Sequence, residues 1–147
     1  MNYIIREAVI SDAEAIRKLN CDEMGYIFLQ GKTEEKIKKL LETETDKIYV
    51  AVSDGEVIGY VHANNYDTLY APHMKNIMGI AVRSEHKRCG IGRALLYQVE
   101  LWAAETGAAG VRLVSGAART EAHAFYHSCG YGSDRQQLNL RKMLTEE

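Results

Sequence analysis

Between Ile80 and Leu96 the chain passes from a strand-like run into a helix through two glycines set one residue apart, Gly90-Ile91-Gly92. The apolar run Lys75–Val82 reads as a buried strand, and a polar loop follows it. A long helix then continues to about Thr106, with Ile91, Leu95, Val99 and Trp102 on one stripe. Such a joint makes an anion site. The first-turn N–H groups lack intrahelical partners, the helix dipole is positive there, and glycine lets the backbone approach closely. Lys87, Arg88 and Arg93 add charge-assisted contacts to the same anion, so a pyrophosphate or phosphate ester is the natural guest. The GxxxxGK[ST] pattern of a P-loop is absent. A dinucleotide fold would want a third glycine where Leu95 stands and an acidic residue ending the next strand, which ends in Val114-Ser115-Gly116 instead. A plain strand–loop–helix joint with a solvated basic face is the competing reading of this segment alone.

The rest of the chain supplies the sheet and its cover. Tyr3-Ile4-Ile5-Arg6 reads as a short first strand. Ser11 with Glu14 three residues on has the form of a capping box ahead of a helix carrying Ala15, Ile16 and Leu19. A second helix is expected from Thr33, with Ile37, Leu40 and Leu41 on one face, after a loop or irregular turn over Gly25-Tyr26-Ile27-Phe28. Strands over Lys47–Val52 and Val57–Asn64 are joined by Ser53-Asp54-Gly55, whose Asp-Gly step supplies the positive φ angles of a tight hairpin. A loop around Ala71-Pro72 leads to the strand ending at Val82. Beyond the long helix, Gly107 and Gly110 bracket a turn into a strand at Val111–Ser115. A helix at Glu121–His127 and a last strand-like segment, Gln136–Arg141, complete the order. No repeat or linker interrupts it, so a single domain over residues 1–147 is expected, a mixed α/β or α+β sheet covered by helices.

The bulk properties exclude several classes. At 147 residues the chain can bury a core without disulfides or a structural metal. A formal net charge of −2 argues against a dedicated nucleic-acid binder, and no run of about 18 apolar residues offers a membrane span. Cys21, Cys89 and Cys129 are an odd count without ligand spacing, which suits reduced thiols. Met1 to Arg6 runs straight into strand-like sequence with no apolar signal region, so a cytoplasmic location is expected.

A second segment narrows the choice. Arg119-Thr-Glu-Ala-His-Ala-Phe-Tyr-His-Ser-Cys-Gly-Tyr131 follows the last buried strand closely. Together the two segments resemble the GNAT acetyltransferase superfamily. Lys87-Arg88-Cys89-Gly90-Ile91-Gly92 is similar to its (Q/R)xxGx(G/A) acetyl-CoA motif. Ala122, Phe125, Tyr126, Gly130 and Tyr131 resemble its AxxFYxxxG(F/Y) helix. Element order agrees along nearly the whole chain. Lys87 replaces the usual Gln or Arg, and Arg119 stands where many members have an asparagine that contacts the pantetheine arm.

The resemblance implies the family's acyl-CoA N-acyltransferase fold, a central mixed, mostly antiparallel sheet flanked by helices, and transfer of acetyl from acetyl-CoA to a primary amine. Backbone groups of Ile80, Ala81 and Val82 would pair with the pantetheine like an added strand. Amides from Arg88 to Arg93, through Cys89, Gly90, Ile91 and Gly92, would hold the pyrophosphate, with Ala122 and Arg119 near the cofactor. The N–H of Val82 would stabilise the tetrahedral oxyanion. Tyr126 matches the tyrosine that gives a proton to the departing thiolate.

The general base stays open among His62, His73, Glu23 and a water chain. His123 and His127 have the i, i+4 spacing of zinc ligands but no third ligand, so no metal is assigned. Asp22, Glu23, Tyr26 and Phe28, with Tyr66, Asp67 and Tyr70, lean toward a small cationic amine as acceptor, though a peptide amine is also compatible. A homodimer through strand edges or terminal segments is a further expectation. A non-catalytic acyl-CoA-binding regulatory module of the same fold is the competing class, which would bind the cofactor without transferring its acyl group.

Overall fold

The computed structural model describes residues 2–28, 30–133 and 135–146. The chain divides into two compact units, one up to Leu113 and one from Val114 onward.

The first unit holds a five-stranded sheet in sequence order: β1 (Ile4–Glu7), β2 (Asp46–Ser53), β3 (Glu56–Thr68), β4 (Ala71–Val82) and β5 (Gly110–Leu113). Neighbours are antiparallel except β4 and β5, which run parallel. Helices α1 (Ala13–Met24) and α2 (Gln30–Leu41) lie between β1 and β2 in sequence, and α3 (Ile91–Glu105) lies between β4 and β5. Parallel neighbours cannot be joined by a tight turn and need a long crossover, which is why a whole helix separates these last two strands.

Period-two alternation sorts the side chains to two faces. Ile48 and Val50 of β2 and Tyr60 of β3 meet Ile16, Leu19 and Ile37 from α1 and α2 in one buried cluster. On the other face α3 buries Ile91, Leu95, Val99 and Trp102, the stripe that the helical spacing predicts. Gly59 makes that helix fit closely. A Cβ there would lie 3.2 Å from the Ala81 carbonyl oxygen and 3.3 and 3.4 Å from Leu95 and Ile91. A larger residue would push the first turn of α3 off the end of β4.

Three local expectations need correction. Ser11 does not cap α1. A 3-10 turn at Ile10–Asp12 precedes the helix, and it is Asp12 whose carboxylate accepts the Val9 amide at 2.8 Å. Arg6 holds the same carboxylate by two hydrogen bonds, 2.8 and 3.0 Å, while Glu14 pairs with Arg17. Burial would raise the Asp12 pKa, but these bonds outweigh it and hold the carboxyl below its ordinary value. The expected loop around Ala71-Pro72 is instead the end of a hairpin, with only Leu69 and Tyr70 between β3 and β4. Pro72 is tolerated because β5 does not reach that part of β4, whose pairing with β5 begins at Met74. Helix α2 also starts earlier than Thr33, at Gln30.

The second unit contains α4 (Thr120–Ser128). The strand expected at Gln136–Arg141 is not formed. An extended segment becomes a strand only by exchanging hydrogen bonds with a neighbour, and none of the described strands pairs with it; Leu138 and Leu140 are exposed.

Candidate active site

The parallel pairing of β4 and β5 covers four rungs, from Met74↔Gly110 to Ile77↔Leu113. At the next residue β4 carries a bulge. Ala63 pairs with Ile77 and His62 with Gly79, which leaves Met78 as the extra residue. A bulge bends its strand and increases the local twist, so β4 turns away from the line of β5. From Met78 to Val82 one edge of β4 is therefore unpaired by any described strand.

Strand alternation identifies which backbone groups face that edge. Arg83 N–H donates to Ile58 O at 2.8 Å, so Arg83 points its backbone at β3. Val82 and Ile80 then point theirs to the open edge, whereas Ala81 faces Tyr60 on β3. Ile80 and Val82, two of the three residues expected to pair with the pantetheine, turn backbone groups to the open edge, and the third, Ala81, turns its own toward β3.

The loop after β4 delivers the chain to α3. Ser84–His86 form a single 3-10 turn, Arg88 takes φ +65°, and Gly90 takes φ +81° as the residue before the helix. Only glycine adopts the last of these without strain, and the non-glycine Arg88 stores about 1 kcal/mol there. Helix α3 has no side-chain cap, and its first hydrogen bond is Ala94 N–H to Gly90 O. The amides of Ile91 and Gly92 therefore have no intrahelical acceptor and lie beside the end of β4. Lys87, Arg88 and Cys89 are exposed in the loop.

Sequence reasoning missed what braces this loop. Glu23 in the last turn of α1 accepts the Ser84 amide at 3.2 Å and its hydroxyl at 2.5 Å, with Lys87 at 3.8 Å. Asp22 pairs with Arg83 at 2.9 Å. The Ser84 hydroxyl, chief among these contacts, holds the Glu23 carboxyl below its usual range, which makes it a weak base. Acidic residues ending a helix against a basic loop were a readable signal, given the fold.

The histidines are engaged as well. His62 Nε2 lies 2.7 Å from Asp46 Oδ2. His73 Nδ1 lies 2.7 Å from Asp67 Oδ1, and its Nε2 lies 3.0 Å from Lys75 Nζ. Lys75 is buried, donates to Asn65 at 2.6 Å and sits 3.9 Å from the Trp102 ring centroid. Burial pushes its pKa down, with the Asp67 charge opposing. No group of three or more metal-ligating side chains occurs among the described residues.

In the second unit, Tyr126 lies on α4 with Phe125 and Tyr131 rings at 5.3 and 6.4 Å. Burial raises its phenol pKa, and the Arg119 charge works against this. Arg119 precedes the helix, with its amide on Gly116 O at 3.0 Å, and His123 Nε2 lies 2.8 Å from the same carbonyl. That nitrogen must carry its proton and donate it. Ala122 is half-buried on α4.

A strand edge opened by a bulge, running into an uncapped helix N-terminus behind a basic loop, offers free backbone groups of the kind that suit an extended, phosphate-bearing cofactor. A model of the Acetyltransferase (GNAT) family matches residues 13–131, and the chain belongs to that family. It is an acetyl-CoA-dependent acetyltransferase. Among curated relatives, an aminoglycoside N(6')-acetyltransferase type 1 of Stenotrophomonas maltophilia is 25% identical over 145 residues, 95% of this chain and 93% of the relative. The crystal structure of aminoglycoside 6'-N-acetyltransferase AAC(6')-Ih from Acinetobacter baumannii superposes with a TM-score of 0.85 at 18% identity, covering 98% and 100% of the two chains. The structure of AAC(6')-Iy in complex with the bisubstrate analogue CoA-S-monomethyl-acetylneamine gives 0.86 at 17% identity, covering 97% and 99%. At these identities the likeness to the two structures fixes the fold.

Proposed function

We propose that the chain transfers the acetyl group of acetyl-CoA directly to a primary amine of a small molecule, within a ternary complex. The observation that carries this reading is the open edge of β4. Ile80 and Val82 present backbone donors and acceptors to it, and it ends beside the free amides of α3. The pantetheine arm pairs with that edge as an added strand. The Arg88–Arg93 segment takes the pyrophosphate, with Lys87 and Arg93 supplying charge. The acetyl carbonyl then lies near Val82 N–H, which is fixed in direction by the β3–β4 ladder and stabilises the oxyanion as it forms. Tyr126 protonates the departing thiolate, and Arg119 and Ala122 border the cofactor.

Direct transfer requires a neutral amine. Of the base candidates, His62 is best arranged. Its Nε2–H donates to Asp46, which leaves Nδ1 to accept a proton, and it stands opposite Gly79, one rung past the bulge. His73 has both ring nitrogens engaged, by Asp67 and Lys75. A small-molecule acceptor is supported by relatives whose names record acetylation of aminoglycosides. The test is release of free CoA thiol from acetyl-CoA across a panel of small amines and amine-bearing peptides. Turnover with small amines supports the reading, and turnover confined to peptides overturns the acceptor class.

A further inference from the structure

The face of the sheet that carries α1 and α2 continues past them as a half-open polar patch where β3, β4 and β5 run side by side. Asn64 and Tyr66 of β3, Asn76 of β4 and Arg112 of β5 share it, and all are partly exposed. Arg112 pairs in register with Asn76, one rung before the last, so its side chain stands at the vertex where β4 and β5 part. The guanidinium donates to Asn76 Oδ1 at 2.6 Å and stacks over the Tyr66 ring, 4.0 Å from its centroid. Asn76 is itself held by Asn64 at 3.4 Å and by Met78 Sδ at 3.0 Å, so the whole group is fixed.

Among the described residues, what Arg112 lacks is a counter-ion. No carboxylate pairs with Arg112 among the described residues, and the rest of its planar fork has no protein acceptor there. Asp46, across the sheet on the same face, is already taken by His62. The carboxylates first suggested for a cationic acceptor are also committed: Asp22 to Arg83, Glu23 to Ser84 and Lys87, Asp67 to His73. A half-buried guanidinium without a counter-ion, preorganised by a stacked ring and an amide, is suited to a planar anion in bidentate geometry. A polycation at the same place would meet like charge.

We propose that Arg112 is a specificity-determining residue of the acceptor site, and that the preferred acceptor is an amine that also carries a carboxylate. This rests on the acetyl-transfer reading above. It departs from the aminoglycosides named for the relatives, and it assigns the departure to one residue at the vertex of the cleft.

The test compares matched acceptors: L-lysine against 1,5-diaminopentane, which has amines without the carboxylate, with ethanolamine phosphate as a second anion. The wild type should favour the amino acid about tenfold or more in kcat/KM, the scale of one charge-assisted hydrogen-bonded contact. Arg112→Gln should erase that preference through KM, leaving kcat for the diamine within about twofold, and Arg112→Lys should retain part of it. Equal use of both acceptors overturns the inference, as does a loss in Arg112→Gln that falls equally on both, which marks a purely structural clasp. Preference for the phosphate overturns the assignment to a carboxylate. Absence of transfer to every amine contradicts the acetyl-transfer reading itself, a result distinct from transfer without acid preference.

Discussion

Ile77 on β4 and Leu113 on β5 form the last rung of the parallel ladder, and the very next residue of β4, Met78, is the bulge that ends it. The opening of the sheet is thus built into the backbone. It exposes Val82 N–H on the side that β3 does not use, and this gives a clean test. Val82→Pro removes that N–H while leaving the β3–β4 hydrogen bonds intact, because proline is tolerated where its nitrogen faces an open edge. The expected result is a fall in kcat of about 100-fold, the scale of one lost oxyanion donor, with little change in melting temperature.

The brace between Glu23 and Ser84 positions the loop rather than the chemistry. Glu23→Gln should raise KM for acetyl-CoA several-fold and leave kcat nearly unchanged, measured by initial rates at varied cofactor. The sign of its pH dependence follows from the depressed carboxyl. The bracing is fully present above the ordinary value of 4.5 and is lost as pH falls through the lower, folded value.

Tyr126 has its phenol pKa pushed above the ordinary 10.0, chiefly by burial. It therefore stays protonated and able to donate through neutral and mildly alkaline pH. Tyr126→Phe should lower kcat by about 100-fold or more, a typical general-acid contribution, with an unchanged acetyl-CoA dissociation constant. Parallel loss of both would make it a packing residue.

Lys75 is buried beneath the sheet against Trp102, with Asn65 and His73 at hydrogen-bonding distance. Lys75→Met keeps the volume and removes a desolvated charge, so chemical denaturation should find it within about 1.5 kcal/mol of wild type, in either direction. Lys75→Ala leaves a cavity and should cost about 2–5 kcal/mol. Because the folded lysine titrates below 10.5, the wild type should gain stability as pH rises from the folded value toward 10.5, and Lys75→Met should lose that gain.

These features differ in how far the sequence announced them. The Asp54-Gly55 hairpin and the Ile91–Trp102 stripe were readable because turn chemistry and helical period are local. The glycine loop with its uncapped helix was readable for the same reason. The bulge at Met78 was not, since a bulge is a mismatch between two strands and leaves no mark on either alone. The orientation of Ala81 toward β3 follows from that pairing. The Gln136–Arg141 segment carries strand-like alternation, yet alternation does not supply a partner. Arg112 in Val111-Arg112-Leu113 looked like any solvated strand residue until Asn76 and Tyr66 were found against it.

Calorimetric titration of acetyl-CoA into the purified protein, with Gly92→Trp as a variant that fills the first turn of α3, tests the central claim most directly. The account predicts stoichiometric binding to the wild type and at least tenfold weaker binding to Gly92→Trp at an unchanged melting temperature, a loss of about 1.4 kcal/mol or more. No heat of binding at near-millimolar acetyl-CoA, or equal affinity in the two proteins, would contradict it.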